Sequence, residues 1–210
     1  MNRRELNPIL ANQPAVPMLV VISGPSGVGK DTVLMRMREL GFPFHFVVTT
    51  TSRAQRPGEI EGFDYNFVSK ESFEEMIAED ELLEHAVVYG EYKGIPKSQI
   101  RDALHSGKDV IMRIDVQGAA TIKRLAPDAL LIFLAPPSRA ELEHRLRLRR
   151  TESPEALEQR LALVEEEMSR VDEFDYVVLN PESRLDEAAG IIQSIIRAEK
   201  ARIRPRRIAL

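Results

Sequence analysis

Residues 24–30 read Gly-Pro-Ser-Gly-Val-Gly-Lys, which satisfies the pattern G-x-x-x-x-G-K. The run lies between an apolar segment, Met18–Ser23, and a stretch with Val33, Leu34, Met37 and Leu40 at helical spacing. A glycine-rich turn from strand to helix is the context in which this pattern cradles phosphate. Glycine lets the backbone curl around an anion with its N–H groups inward, and the helix dipole adds a favourable potential. Lys30 sets a cation against the outer phosphates. Gly24, Pro25, Ser26, Gly27, Val28, Gly29 and Lys30 therefore read as a nucleotide-binding loop. The plainer alternative is an ordinary glycine-rich turn. The next position normally carries a serine or threonine hydroxyl for Mg²⁺. Here it is Asp31, followed by Thr32. Adjacent helical residues point about 100° apart, so Thr32 is no simple substitute. A carboxylate is itself a hard-cation ligand, and Asp31 is expected to hold Mg²⁺ directly or through water.

A second group of residues suits a phosphate dianion. Arg53 and Arg56 lie three apart, beside Thr49, Thr50, Thr51 and Ser52, and Tyr65 follows a glycine-rich turn. Arginine forks, hydroxyls and a phenol can share the oxygens of one phosphate. Spacing alone allows a solvated loop equally well. The run Arg145–Arg150 packs four arginines into six residues. It can be a helix's polar face, but bound phosphates would relieve the mutual repulsion of so dense a run.

These residues need a scaffold, and the chain is long enough to make one. Its 210 residues suit one domain with an insert. Hydrophobic residues make up 43% and charged residues 30%, which excludes a wholly disordered chain. The absence of cysteine excludes disulfides, thiolate zinc sites and cysteine nucleophiles. The four histidines show no metal-ligand spacing. No apolar run approaches a membrane span of about 20 residues, and the first residues lack a secretory apolar stretch. The expectation is a cytoplasmic protein without membrane or nucleic-acid partners. Net charge is −4, yet Arg197–Arg207 carries six bases and one acid. That tail is expected to be a solvated helix end.

Strands are expected at Met18–Ser23, Phe46–Thr51, Val110–Asp115, Leu130–Leu134 and Tyr176–Leu179. Helices are expected at Thr32–Leu40, Gln99–His105, Ala119–Leu125, Arg139–Leu148 and Leu185–Arg202. A further long helix begins at Pro154, with Ser153 as N-cap, and runs to about Val171. Such alternation implies a mostly parallel sheet covered on both faces, with ligands beyond the carboxyl ends of its strands. Between Ser52 and about Lys97 the pattern changes. Glycines and aromatics cluster around one short helix near Glu71–Glu79, which suggests an insert.

The motifs T-S-R-A-Q-R-P-G-E-I-E-G-F-D-Y-N-F-V-S, L-L-E-H-A-V-V-Y-G-E-Y-K-G, I-D-V-Q-G-A, L-A-P-P-S and V-V-L-N occur in that order after the glycine loop. Together they resemble the guanylate kinase family over about Met18–Lys200. The resemblance implies an α/β fold: a P-loop NTPase three-layer α/β/α core with a mostly parallel sheet, a GMP-binding insert and a lid. It implies a flexible arm over 1–17, a core over 18–50 and 97–210 with a lid at about 145–155, and the insert over 51–96. It implies Mg²⁺-dependent phosphoryl transfer from ATP to GMP. Thr49, Arg53, Arg56 and Tyr65 match the ligands of the GMP phosphate, Glu84 the carboxylate that reads guanine, and Asp115 an acid on the guanine side. Arg145, Arg149 and Arg160 match the arginines that close on the moving phosphoryl group, with Lys30 and Arg56 as further catalytic cations. Asn180 matches the residue near the ATP base. A non-catalytic protein-binding module and a kinase of another phosphate ester are the alternatives.

The chain departs from the family pattern at several positions besides Asp31. Lys93 stands for a tyrosine that meets the GMP phosphate, and can still do so as a cation. Ile95 stands for a hydroxyl residue and cannot hydrogen-bond the base. Arg113 stands for the first aspartate of D-I-D, and Arg150 for a lid glycine. Asp31, Lys93, Ile95 and Arg113 together resemble a plastid-like branch, and the opposite charges of Asp31 and Arg113 are expected to compensate one another.

Overall fold

The computed structural model describes residues 16–88, 90–148 and 154–209. The chain runs β1 (Leu19–Ser23), α1 (Lys30–Glu39), β2 (Phe44–Phe46), β3 (Thr49–Thr51), β4 (Tyr65–Phe67) and α2 (Lys70–Ala78). It continues with β5 (Leu82–Val88), β6 (Glu91–Pro96), α3 (Lys97–His105), β7 (Asp109–Arg113) and α4 (Val116–Leu125). It closes with β8 (Leu130–Ala135), α5 (Arg139–Leu148), α6 (Pro154–Ser169), β9 (Tyr176–Leu179) and α7 (Leu185–Lys200). The main sheet has the order β2-β7-β1-β8-β9, and all its pairings are parallel. The mixed α/β architecture expected from the alternation of elements is the one observed.

The alternation of side chains along β1 builds both halves of the core. Val20 and Ile22 face one layer, packed with Val33 and Met37 of α1, Leu142 of α5 and Ile192 of α7. Leu19 and Val21 face the other, packed with Ile100 of α3 and Ile122 of α4. A strand buried on both faces reads as continuous aliphatic sequence, as Leu-Val-Val-Ile does.

The single strand expected over Phe46–Thr51 is two strands in two sheets. β2 pairs with β7 in the main sheet, and β3 joins a second sheet of order β4-β3-β6-β5. The crossing needs no glycine or proline, because a side-chain amide takes the place of a strand neighbour. Gln99 accepts from the Val48 amide at 3.0 Å and donates to its carbonyl at 2.9 Å. That substitution is invisible in local sequence. The other elements fall within a few residues of expectation. Ser153 lies outside the described residues, as does most of the 1–17 arm.

The basic tail is solvated only in part: Arg197, Arg202, Arg204 and Arg207 are exposed, as expected of a helix end, but other contacts anchor it. Glu199, 5% exposed, accepts from Tyr176 Oη at 2.7 Å, Arg202 at 2.9 Å and Arg206 at 2.6 Å. Burial alone would raise its pKa, but these donors hold it at about 2. The tail's charge is thus spent in part on anchoring the chain end to β9 and α7.

The second sheet wraps α2 through Phe73, which is fully buried and stacks on Tyr92 at 5.1 Å between ring centres. Gly94 lies directly beneath the ring, since a Cβ there would come within 2.8 Å of Phe73 Cζ. Phe73→Ala is expected to cost about 3–5 kcal/mol, read as a lower urea midpoint with an unchanged slope.

Candidate active site

Both phosphate motifs open onto one cleft of about 1100 Å³ at the carboxyl end of the main sheet. Ser26, Gly27, Gly29, Lys30 and Asp31 line one side. The loop's shape depends on glycine. Gly24 has φ 140°, and a Cβ there would collide with the Leu134 carbonyl oxygen of β8. Gly29 has φ 98° and caps α1, and a Cβ there would come within 2.7 Å of Asn180 Nδ2. Lys30 Nζ folds back to donate to the Gly24 carbonyl at 2.6 Å and the Pro25 carbonyl at 3.2 Å.

The loop is braced from behind. Asn180, at the end of β9, donates to the Val28 carbonyl at 2.8 Å. Arg145 of α5 donates to the same carbonyl at 3.1 Å and to the Asn180 carbonyl at 2.8 Å, and pairs with Glu141. Arg145 and Asn180 therefore sit behind the loop rather than in the cleft lining. Pro25, Val28 and Gly24 form the buried base of the turn, and Thr32 is exposed on α1. Arg149 lies outside the described residues. Arg160 lies on α6, and its side chain is not among those described.

The insert supplies the opposite wall. Thr49 and Tyr65 are partners in the β3–β4 register and both line the cleft. The Arg53 guanidinium lies 4.9 Å from the Tyr65 ring centre, and Lys93 Nζ lies 5.9 Å from it. Glu59 holds Arg53 as a fork, at 2.7 and 2.8 Å, and accepts from the Arg56 backbone at 2.8 Å. The Arg53 bond holds the Glu59 carboxyl below the usual carboxylate range. Arg56 is exposed at the rim, with its side chain lining the cleft.

Glu84 of β5 and Asp115 form the far end. Burial, and next the nearby Asp115 carboxylate, push the Glu84 carboxyl up to about 7. No described residue donates a hydrogen bond to it. Asp115 caps α4 by accepting from the Gly118 amide at 2.8 Å, so one side chain serves both the fold and the cleft. Ile95 is 1% exposed and packs with Leu83 and Ile100, so the residue that cannot bond a base instead fills the core.

Two features were not legible beforehand. Glu167 of α6 accepts from the Ser26 amide at 3.0 Å across 141 positions, and burial raises its pKa. Arg38 and Arg170 also line the cleft. Nothing local marks any of the three. Asp31, read as the Mg²⁺ ligand, and Arg113, read as a departure that offsets its charge, form an ion pair. The expected compensation thus has a direct physical basis.

The guanylate kinase family model matches residues 17–199. This chain belongs to the guanylate kinase family. It is 53% identical over 93% of its length to "Guanylate kinase 2, chloroplastic/mitochondrial" of Oryza sativa, covering 69% of that protein. It is 41% identical over 91% of its length to a guanylate kinase of Carboxydothermus hydrogenoformans, covering 92% of it. The crystal structure of guanylate kinase from Anaplasma phagocytophilum matches with a TM-score of 0.74 and 33% identity, over 90% of this chain and 88% of that one. The relatives it matches thus include a plant protein named as chloroplastic/mitochondrial. Among the described residues no helix is long and apolar enough to cross a membrane.

Because Asn180 and Arg145 share one acceptor, removing either leaves Val28 a partner. Asn180→Ala and Arg145→Ala should each cost about 1 kcal/mol. The double variant should cost more than their sum, since it alone leaves the Val28 carbonyl without a donor. Urea unfolding of the four proteins checks this.

Proposed function

We propose that the chain transfers the γ-phosphoryl group of ATP to GMP, giving ADP and GDP. The observation that supports this best is the single cleft. It carries a phosphate loop with Lys30 on one wall, and Arg53, Arg56, Lys93 and Tyr65 around a second anion position on the other. In this reading Gly24–Gly29, Lys30, Asp31 and Thr32 bind ATP, with Asn180 toward its base. The buried Asn180 Oδ1 has no partner among the described residues, which leaves an acceptor there. The segment 51–96 is the GMP-binding insert, 18–50 and 97–210 the core, and 145–155 the lid that carries Arg145 and Arg149.

GMP needs no protein base, since its phosphate has a second pKa of about 6 and is a dianion nucleophile near neutrality. An oxygen of that phosphate forms a bond to the γ-phosphorus as the bond to the β-phosphate oxygen breaks, and ADP leaves. The task of the residues is to hold two anions in line and to neutralise the moving charge. Lys30, Arg56, Arg149 and Arg160 take that role, whereas Arg145, expected among them, braces the phosphate loop from behind. Thr49, Arg53, Tyr65 and Lys93 hold the acceptor phosphate. Glu84, backed by Asp115, accepts from guanine N1–H and the 2-amino group. Adenine presents a bare acceptor at N1 and would leave the carboxylate unpaired, the arrangement that rejects an analogue strongly.

Among the described residues no group of three acidic or histidine side chains could hold a metal ion. Asp31 is a single carboxylate at the loop's edge. That fits Mg²⁺ arriving with ATP, because Mg²⁺ keeps waters and binds through one or two carboxylates plus phosphates. The ion, when bound, neutralises charge on the β- and γ-phosphates.

A coupled assay for ADP with ATP and Mg²⁺ should show turnover with GMP and not with AMP, UMP, CMP or no acceptor. Acceptor-independent or absent turnover would sink the reading. Glu84→Ala should abolish the preference. The raised Glu84 pKa also sets a pH window. Guanine requires the ionised carboxylate, so kcat/KM for GMP should fall by up to tenfold per pH unit below about 7. In Glu84→Gln that step should vanish, leaving only the GMP phosphate's own ionisation near 6.

A further inference from the structure

Arg113 stands where the two walls of the cleft meet. It ends β7 level with Ile22 of β1, two residues before Gly24. Its Nε pairs with Asp31 Oδ1 at the start of α1. Its Nη2 reaches the Asp64 carbonyl at 3.4 Å, and its guanidinium lies 5.6 Å from the Tyr65 ring centre. One cation thus touches the helix of the phosphate loop and the insert at once.

The surroundings make this pairing exchangeable. Arg53 and Lys93 approach the same Tyr65 ring, so cations crowd this corner. Arg38 is part of the crowd: burial, and next repulsion from Arg113, lower its pKa. The Arg113 side chain is 16% exposed while that of Asp31 is 63% exposed. An ion pair with so exposed a partner contributes little. A phosphate dianion bound beside Tyr65 would offer the guanidinium a doubly charged, bidentate alternative. Asp31 meanwhile holds the position where a phosphate loop ordinarily presents its Mg²⁺ ligand.

We propose that Arg113 is a phosphate ligand held on Asp31 while the cleft is empty. The acceptor phosphate draws it away, and this releases the Asp31 carboxylate to the Mg²⁺ carried by the donor nucleotide. Acceptor and metal–nucleotide binding then favour one another, and by linkage the effect is reciprocal. The proposal rests on the ATP:GMP reading.

Calorimetry on the full chain tests it without turnover. GMP is titrated in the absence of Mg²⁺, and ADP is titrated over a range of Mg²⁺ with and without GMP. Asp31→Ser should tighten GMP severalfold, because the competing partner is gone. Arg113→Met should weaken GMP by about tenfold, as loss of a charge-assisted pair to phosphate implies. In wild type, GMP should lower the Mg²⁺ needed to half-saturate ADP binding. In Arg113→Met that requirement should already be low, and GMP should no longer change it. Arg113→Lys keeps the charge and should lie between; it and Asp31→Ser carry the test if Arg113→Met melts early. GMP affinity that is unchanged or weaker in Asp31→Ser, or unchanged in the Arg113 variants, overturns the proposal. A wild-type chain that binds no GMP overturns the ATP:GMP reading instead.

Discussion

Two donors from distant parts of the chain converge on one backbone carbonyl, that of Val28. Asn180 reaches it from the end of β9, and Arg145 reaches it from α5. This matters because a phosphate loop works by pointing its amide groups inward, which turns the carbonyls outward. An outward carbonyl in a buried place must be satisfied or it costs free energy. The bracing therefore fixes the loop's curvature, and every other part of the cleft is placed relative to it.

The second constraint is electrostatic. Phosphoryl transfer between two nucleotides brings anions together, and the cleft answers with cations on both walls. Held without ligand, those cations would repel one another. The structure lowers that cost with internal carboxylates: Glu59 on Arg53 and Asp31 on Arg113. The Asp31 side chain is largely exposed, so its pair with Arg113 contributes little and can rearrange. Glu84 is the opposite case. It is half-buried, with Asp115 nearby and no described donor, so its charge is costly until a ligand supplies one.

Some residues carry two duties, and this explains departures that look damaging in isolation. Asp115 caps α4 while lining the cleft. Ile95 gives up a polar contact and becomes part of the core under the insert. The positive charge at position 113 is tolerable because position 31 gains a negative one and the two side chains meet.

The sequence alone determined the alternation of strands and helices, the glycine loop and the ordered motifs that mark the family. All of these are local: an aliphatic run, a left-handed glycine, a helical repeat. The Asn180 and Arg145 brace, the Glu167 contact with the loop and the crossing of Phe46–Thr51 between two sheets were decided by the tertiary structure. Each joins groups far apart in the chain, and the Glu167 contact spans 141 positions. The tail shows the same division. Its charge was plain in the sequence, but only folding set Arg206 against a buried Glu199 and made an anchor of it. Residue type states what a side chain can bond; only the closed fold determines which partner lies within reach.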